Sequence, residues 1–437
     1  MKQILIIGGG ITGLTIGYEL VKRGQPVTII EKENEIGGLS GSFRYNGFIY
    51  DIGPHRFFTN SKQALNFIEE ILKDDAISIT RDSKVYFKGK YYQWPLHLNI
   101  LFKLPLSIQI KTTLDLFFRK RKKEKDKHTF QEYILNNYGP TLYNCFFRDY
   151  TQKFLNTPPD LLDADWAKIG MAMAIIDERS FCTNLWGIFK LAIKPAQACT
   201  TFLYSKGGIC LFCNKLERFI IQHGGRILKG RSVLNIGQSS KRIDSIVTDK
   251  EVLKCDSLIW TGPINEICSL LYLPGGNLKY LSLVLYNVSL KRKSKRSFQW
   301  CYFGDKDIVF NRVSNPSMFD PNSAPRDKTG LCVEVTCREN DELWNNPEKL
   351  IFQIKKDLLK VNLIDDPTSI SSIRIERIPN AYPIYDLNYK ERLKVTKENL
   401  GKFKNLILAG RTGLFWYNNM DDCITNGLIN AERLLKE

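Results

Sequence analysis

Uninterrupted apolar runs mark the two ends of the chain. Gln3 to Ile7, Pro26 to Ile30, Ser257 to Thr261 and Asn405 to Ala409 have the length and content of strands buried on both faces. Leu14 to Arg23 has helical spacing and stops at Gly24, and Cys423 to Leu435 predicts a last helix. The pattern changes between these ends. Arg81 to Pro95 alternates aromatic and polar residues about Gly89, as a β-hairpin does. Leu104 to Lys120, with Pro105 in its first turn, and Phe130 to Asn137 predict helices, as does Leu211 to His223. Ile243 to Val247, Glu251 to Leu253, Ser282 to Leu290 and Leu331 to Cys337 predict strands, the last two as a pocket floor. The whole predicts an α/β fold closed by both termini. Residues 1–80, 201–270 and 386–437 form one domain, and residues 81–200 and 271–385 are threaded between them as another.

Local chemistry sharpens the first strand–helix–strand unit. Gly8-Gly9-Gly10-Ile11-Thr12-Gly13 joins strand to helix, and Glu31 closes the second strand, which completes a dinucleotide fingerprint. Gly8 allows the tight turn, Gly10 lets a pyrophosphate approach the backbone, and Gly13 lets the helix pack on the sheet. Glu31 suits the hydroxyls of an adenosine ribose and repels a 2′-phosphate, against NADP. Gly37-Gly38 follows, then the turn Gly53-Pro54-His55. That histidine is either a ligand contact or a hydrogen-bonded turn residue. Near the other end, Gly410-Arg411-Thr412-Gly413 and Tyr417-Asn418-Asn419-Met420-Asp421-Asp422 repeat the strand, glycine turn and helix N-terminus. Asp421 and Asp422 are natural caps there.

Composition narrows the rest. The 437 residues, 43% of them hydrophobic, suffice for two or three cores. The 11 cysteines show no disulfide framework, and Cys210-x-x-Cys213 lies in an apolar run that reads as two buried thiols. Four histidines without metal-ligand spacing predict no metal. The start of the chain lacks the pattern of a secretory signal, which implies the cytoplasm. The formal charge of +17 favours an anionic small-molecule ligand, and no nucleic-acid-binding motif is present. The basic run 119–127 after the amphipathic stretch Leu98 to Phe118 is either a solvated loop or a peripheral contact with an anionic membrane. Nothing fixes an oligomeric state.

The motifs at both ends resemble those of the FAD-dependent amine oxidase and protoporphyrinogen oxidase-like superfamily, and among these the UDP-galactopyranose mutases most. The carriers are Gly8 to Gly13 with Glu31 and Gly37-Gly38, the Gly53-Pro54-His55 turn, and Gly410-Arg411 with Tyr417 and Asn419-Met420-Asp421. Tyr150-Thr151-Gln152-Lys153 and Tyr382-Pro383-Ile384-Tyr385 are mutase-like, although Leu155-Asn156 replaces the Trp-Gly usual after the first. Tyr204 to Gly208 is oxidase-like. The resemblance implies an FAD-binding Rossmann-like domain of the glutathione-reductase type in discontinuous segments, with an inserted mixed α+β substrate domain. It implies adenine contact through Val233, the flavin beside His55, and Arg411 and Tyr417 at the reacting end. Arg148, Arg374 and Arg377 are further candidates to hold a diphosphate. Three activities fit: a redox-neutral mutase (an isomerase) working through flavin N5, a flavin oxidoreductase, and a non-catalytic relative like the Rab GDP-dissociation inhibitors. The intact glycines and Glu31 argue against the last.

Overall fold

The structure, a computed structural model, describes residues 2–94, 104–118, 128–171 and 201–437. The basic run 119–127 lies outside them. The chain begins with β1 (Ile4–Ile7), α1 (Ile11–Lys22) and β2 (Val27–Ile30), then a hairpin of β3 (Ser42–Tyr45) and β4 (Phe48–Asp51). Helix α2 (Lys62–Leu72), β5 (Ala76–Thr80) and a second hairpin, β6 (Ser83–Phe87) and β7 (Lys90–Trp94), precede helices α3 (Leu106–Phe118), α4 (Phe130–Leu142) and α5 (Arg148–Leu155). Next come β8 (Thr201–Ser205), α6 (Cys210–Gln222), β9 (Arg226–Leu228), the meander β10 (Val233–Ser239), β11 (Arg242–Thr248) and β12 (Val252–Lys254), then β13 (Ser257–Trp260) and α7 (Ile264–Leu270). The remaining strands are β14 (Tyr280–Leu290), β15 (Trp300–Phe303), β16 (Arg312–Ser314) and β17 (Thr329–Cys337). After α8 (Ile351–Lys360) follow β18 (Ile370–Pro383), α9 (Tyr389–Leu400), β19 (Leu406–Leu408) and α10 (Met420–Lys436).

Two sheets organise the molecule. The five-stranded one, in the order β19-β13-β1-β2-β9, is parallel throughout. Both its faces are covered, which is why its strands read as unbroken apolar runs. The seven-stranded one has the order β18-β14-β17-β16-β15-β6-β7. Its strand β14, paired on both sides by β18 and β17, has its two faces in two different cores. Leu281, Leu283 and Leu285 enter the core shared with Leu5, Ile7 and Ile30 of the parallel sheet, while Val284, Tyr286, Val288 and Leu290 face Ile354 and Leu358 of α8.

The glycine turn, the dinucleotide strands and the last helix agree with expectation to within a few residues. The long strand β18 and helices α2, α8 and α9 were not among the expected elements, although Ser61 caps α2 and the apolar positions of α2 and α8 have helical spacing. Cys210 and Cys213 are buried thiols on α6. Helix α3 leaves Leu106, Ile110, Leu114, Phe117 and Phe118 between 49% and 73% exposed, a single stripe at helical spacing. Among the described residues no helix is long and apolar enough to cross a membrane.

Helices α1 and α10 cross at Gly427, where an added Cβ lies 2.8 Å from Thr15 Cβ. Gly427→Leu is expected to cost about 1–3 kcal/mol through this overpacking, read as a lower midpoint in urea unfolding. An unchanged midpoint would remove the crossing from the stability of the fold.

Candidate active site

Strand β1 ends where α1 begins, and the turn between them is built by exclusion. A Cβ at Gly8 lands 2.2 Å from Thr261 Oγ1, and one at Gly13 lands 2.1 Å from the Gly8 carbonyl oxygen. Gly10 is different. Its φ of −76° suits any residue, and an added Cβ meets nothing closer than 4.0 Å. The space before the α1 N-terminus is therefore open, with free N–H groups and the helix dipole facing it. Gly37 donates its N–H to the Gly9 carbonyl at 2.8 Å, and Gly38 packs against Gly10. The second glycine pair thus walls the first. The Glu31 carboxylate is buried and accepts from the N–H of Gly9 at 2.6 Å and of Glu33 at 2.9 Å. It braces the loop with one lone pair of each oxygen and keeps the others for a ligand. The Glu31 carbonyl accepts from the Arg231 N–H, which brings the start of β10 and Val233 to the same edge.

The C-terminal turn meets this cradle from the other side. The Gly410 N–H donates to Asn426 Oδ1, and Thr412 Oγ1 donates to the Thr261 carbonyl at 2.7 Å. Asn419, not either aspartate, is the α10 N-cap. Its capping box is completed by Asp422 at the third helical position, and the sequence Asn-x-x-Asp in place of the usual Ser-x-x-Glu hid that pairing. Met420 is buried, and Asp421 turns toward Thr59 in a half-buried position that raises its carboxyl above the ordinary range. Two helix N-termini, with an open space at Gly10, fit a dinucleotide whose phosphates need N–H donors.

The Gly53-Pro54-His55 turn sits beside a buried ion pair. A Cβ at Gly53 would be 3.0 Å from Arg312 Nη2. Arg312 donates through Nε and Nη2 to both oxygens of Glu334 at 2.6 Å each, and through Nη2 to the Tyr382 hydroxyl at 3.2 Å. His55 Nδ1 is buried and without a partner. Burial, with Arg411 and Arg312 nearby, pushes the imidazole down to about 3, so it is neutral at physiological pH. Arg411 donates to the Asn418 carbonyl through Nε and Nη2 and to the Ala381 carbonyl through Nη1, and its guanidinium lies 4.8 Å from the Tyr417 ring centroid. Tyr417 stacks on Tyr382 at 5.5 Å. Tyr385, fully buried, accepts the Tyr417 N–H.

Arg312, Tyr382 and Tyr417 line a cavity that is partly open to solvent. Its walls are mostly aromatic, among them Trp94, Phe146, Tyr150, Trp166, Tyr302 and Tyr382, with Arg312 and Asp305 as its charged groups. Strands β14 and β17 do not supply the floor, contrary to expectation. Their side chains fill the apolar layers on the two faces of the sheet, and β6, β7, β15 and β16 with the end of β18 take that place. Arg148 pairs with Asp149 and Asn144 at the surface, Arg374 lies over Tyr45, and Arg377 donates to the carbonyls of Trp344 and Asn345. None of the three lines the cavity. Arg312 and Glu334 went unnoticed because 22 residues separate them and only the β16–β17 pairing joins them.

Fold and cradle together define a dinucleotide-binding flavoprotein. The chain belongs to the flavin containing amine oxidoreductase family, whose sequence model matches residues 11–435. It is accordingly an FAD-dependent enzyme. It is 27% identical to the probable UDP-galactopyranose mutase of Klebsiella pneumoniae over 199 residues, a match covering 44% of this chain and 50% of that relative. The chain therefore spans about half the length of that mutase. It is 34% identical to the coproporphyrinogen III oxidase of Staphylococcus aureus, covering 100% and 99% of the two chains. The crystal structure of a reduced UDP-galactopyranose mutase has the same fold, with TM-score 0.86, 22% identity and coverage of 100% and 96%.

Two predictions follow from this geometry. Gly10→Val should fold normally, with a melting temperature within about 2 °C of the apoprotein, yet retain almost no flavin after purification. Stoichiometric flavin in that variant would place the pyrophosphate elsewhere. The second concerns acid stability. His55 binds its proton more readily unfolded (ordinary value 6.5) than folded (about 3), so it makes stability fall as pH drops through that window. His55→Asn should flatten the stability–pH curve from about pH 6.5 downward and leave it unchanged above pH 7. Parallel curves for the two proteins would show that the imidazole is not held neutral.

Proposed function

We propose that the protein is a UDP-galactopyranose mutase-like flavoenzyme that acts on an anionic sugar nucleotide, with Gly8, Gly10, Gly13, Glu31, Gly37, Gly38, Val233, Gly410, Asn419, Met420 and Asp421 holding FAD. The domain limits predicted from the sequence belong to the same proposal. The observation that carries it is the aromatic cavity, which ends at Arg312, Tyr382 and Tyr417 beside the Gly53-Pro54-His55 turn. Flat aromatic walls suit a nucleotide base, which stacks on them at small entropic cost. Bound FAD supplies, at N5, a hydride acceptor when oxidised and a nucleophile when reduced.

The chain's own residues bind, orient and exclude water. Neutral His55 offers an imidazole nitrogen as hydrogen-bond partner without adding charge to a site already rich in arginine. Burial pushes the Tyr382 hydroxyl up to about 12, so it remains a proton donor at neutral pH. Arg411 fixes the Tyr382–Tyr417 stack, and Tyr417 presents its ring to the cavity. Among the described residues one carboxylate, that of Asp305, and no histidine line the cavity, which accords with chemistry supplied by a cofactor.

A second reading, oxidation of a C–H bond as in the protoporphyrinogen oxidase-like members, is favoured by the full-length similarity to coproporphyrinogen III oxidase. Anaerobic reduction with dithionite separates the two. The mutase reading expects UDP-galactopyranose to be converted to an isomer by the reduced enzyme alone. Inertness toward sugar nucleotides, with hydrogen peroxide formed from coproporphyrinogen III in air, would replace it with the oxidase reading.

We also propose that the exposed stripe of α3, continuous in sequence with seven basic residues among positions 119–127, rests on an anionic membrane surface. The wild-type protein should sediment with vesicles containing about 30% phosphatidylglycerol and not with pure phosphatidylcholine, and Ile110→Ser with Phe117→Ser should abolish this. Equal recovery in the supernatant with both vesicle types would end the proposal.

A further inference from the structure

Arg312 lines the cavity, Arg411 lies over the wall residues Tyr382 and Tyr417, and Arg56 and Arg81 lie over Trp300 beside that wall; the four differ in what neutralises them. Arg312 is matched charge for charge by Glu334. Arg411 spends its donors on the carbonyls of Asn418 and Ala381. Arg56 and Arg81 have no ion pair among the described residues. Arg56 lies over the Trp300 ring at 4.7 Å and over Phe202 at 5.7 Å, and Arg81 lies over the same Trp300 ring at 5.2 Å. Arg81 donates only through Nε, to Ser83 Oγ at 2.8 Å.

Several donors at this place lack partners. Arg81 Nη2 and Trp300 Nε1 are both buried and unbonded. The neighbouring acids are engaged: Asp82 pairs with Lys84 at 2.7 Å, and Asp421 bonds Thr59. Gln299 bonds the Thr80 carbonyl and the Asp82 N–H, which rivets β15 to the Arg81 segment and holds the two guanidinium groups against one indole. Burial lowers both arginines, and Arg56 lowers Arg81 further, to about 10. Two like charges held together in a poorly solvated place are costly unless an anion joins them.

The cluster borders the cavity. Ser83 pairs with Trp94 on one side and Trp300 on the other, so the three form one row across β7, β6 and β15. Trp94, whose Nε1 is also unbonded, and Tyr302, two residues along β15 from Trp300, line the cavity wall.

We propose that Arg56 and Arg81, with the indole N–H of Trp300, form an oxyanion-binding subsite for a carboxylate or phosphoryl group of the molecule that fills the cavity. The proposal rests on that cavity being the substrate site, and it assigns the anion to these two arginines rather than to Arg312 or Arg411. Guanidinium forks stacked on an aromatic face match the planar geometry of both groups.

The test uses the FAD-loaded full-length protein and calorimetric titration with pyrophosphate, phosphate and malonate, followed by thermal melting with each. One saturable site is expected. Its affinity should fall about tenfold or more in Arg56→Gln and in Arg81→Gln, with flavin content unchanged. The stronger of pyrophosphate and malonate identifies the group as phosphoryl or carboxylate. In the absence of anion, either variant should melt no lower than the wild type, because a repulsion has been removed; an arginine serving only to pack on Trp300 would give a lower melting point. If one variant does not fold, the other carries the comparison. Anion binding that is equal in both variants and the wild type overturns the subsite, as does anion binding that expels FAD. Loss of anion binding in the variants, with no uptake of UDP-sugars by the wild type, leaves the subsite standing and removes the sugar-nucleotide reading. UDP-sugar turnover unaffected by either variant does the reverse.

Discussion

Three parallel strands end so close together that the backbone between them leaves no room for side chains. Added Cβ atoms at Gly8, Gly13 and Gly413 would land 2.1–2.6 Å from Thr261 Oγ1 or from backbone oxygens of Gly8 and Trp260. Only glycine satisfies such approaches, and satisfying them places the N-termini of α1 and α10 on one side of one sheet. Everything else is hung on this junction. β1, β13 and β19 come from positions 4, 257 and 406, so the chain between them must leave the parallel sheet and return twice. The seven-stranded sheet is made from those excursions.

The excursions also set the electrostatics. The Gly53-Pro54-His55 turn leaves the parallel-sheet side and meets β16 and β17 at Arg312 and Glu334. A bidentate pair between the partly buried Arg312 and the buried Glu334 contributes no net charge but fixes two strands and the Tyr382 hydroxyl in one geometry. Arg56 and Arg81, over the Trp300 ring, have no such ion pair among the described residues. Burial first, and then the positive surroundings of Arg411 and Arg312, keep His55 neutral. A neutral imidazole amid arginines can only be a short-range hydrogen-bonding contact, not a source of field.

What the sequence made legible follows from distance along the chain. The cofactor cradle was readable because its parts are local: a glycine and its helix, an acid 18 residues after Gly13, a second glycine pair just beyond. Each is set by backbone geometry that few residue types allow. The cavity was not readable in that way. Arg312 with Glu334, and Trp166 with Tyr417, come together only through sheet register and the packing of α5 and its neighbours. Choosing arginines by motif alone selected Arg148, Arg374 and Arg377, whose side chains bind surface acids, rings or carbonyls elsewhere. Arg411 was selected for anion contact, and the structure spends its donors on backbone carbonyls.

That use of Arg411 has a mechanical consequence. It belongs to the turn after β19, yet it holds the Asn418 carbonyl next to the α10 N-cap, the Ala381 carbonyl on β18, and the faces of Tyr382 and Tyr417. One planar, permanently charged group thus joins the glycine turn, the start of the last helix and the cavity wall. Tyr417 cannot move away from Tyr382 without giving up that face, and Asn418 cannot move without breaking two charge-assisted bonds. Lysine would supply the charge but not the fork that reaches both carbonyls. The geometry of the aromatic wall and the geometry of the helix N-terminus are therefore one quantity in this fold, set by a single guanidinium.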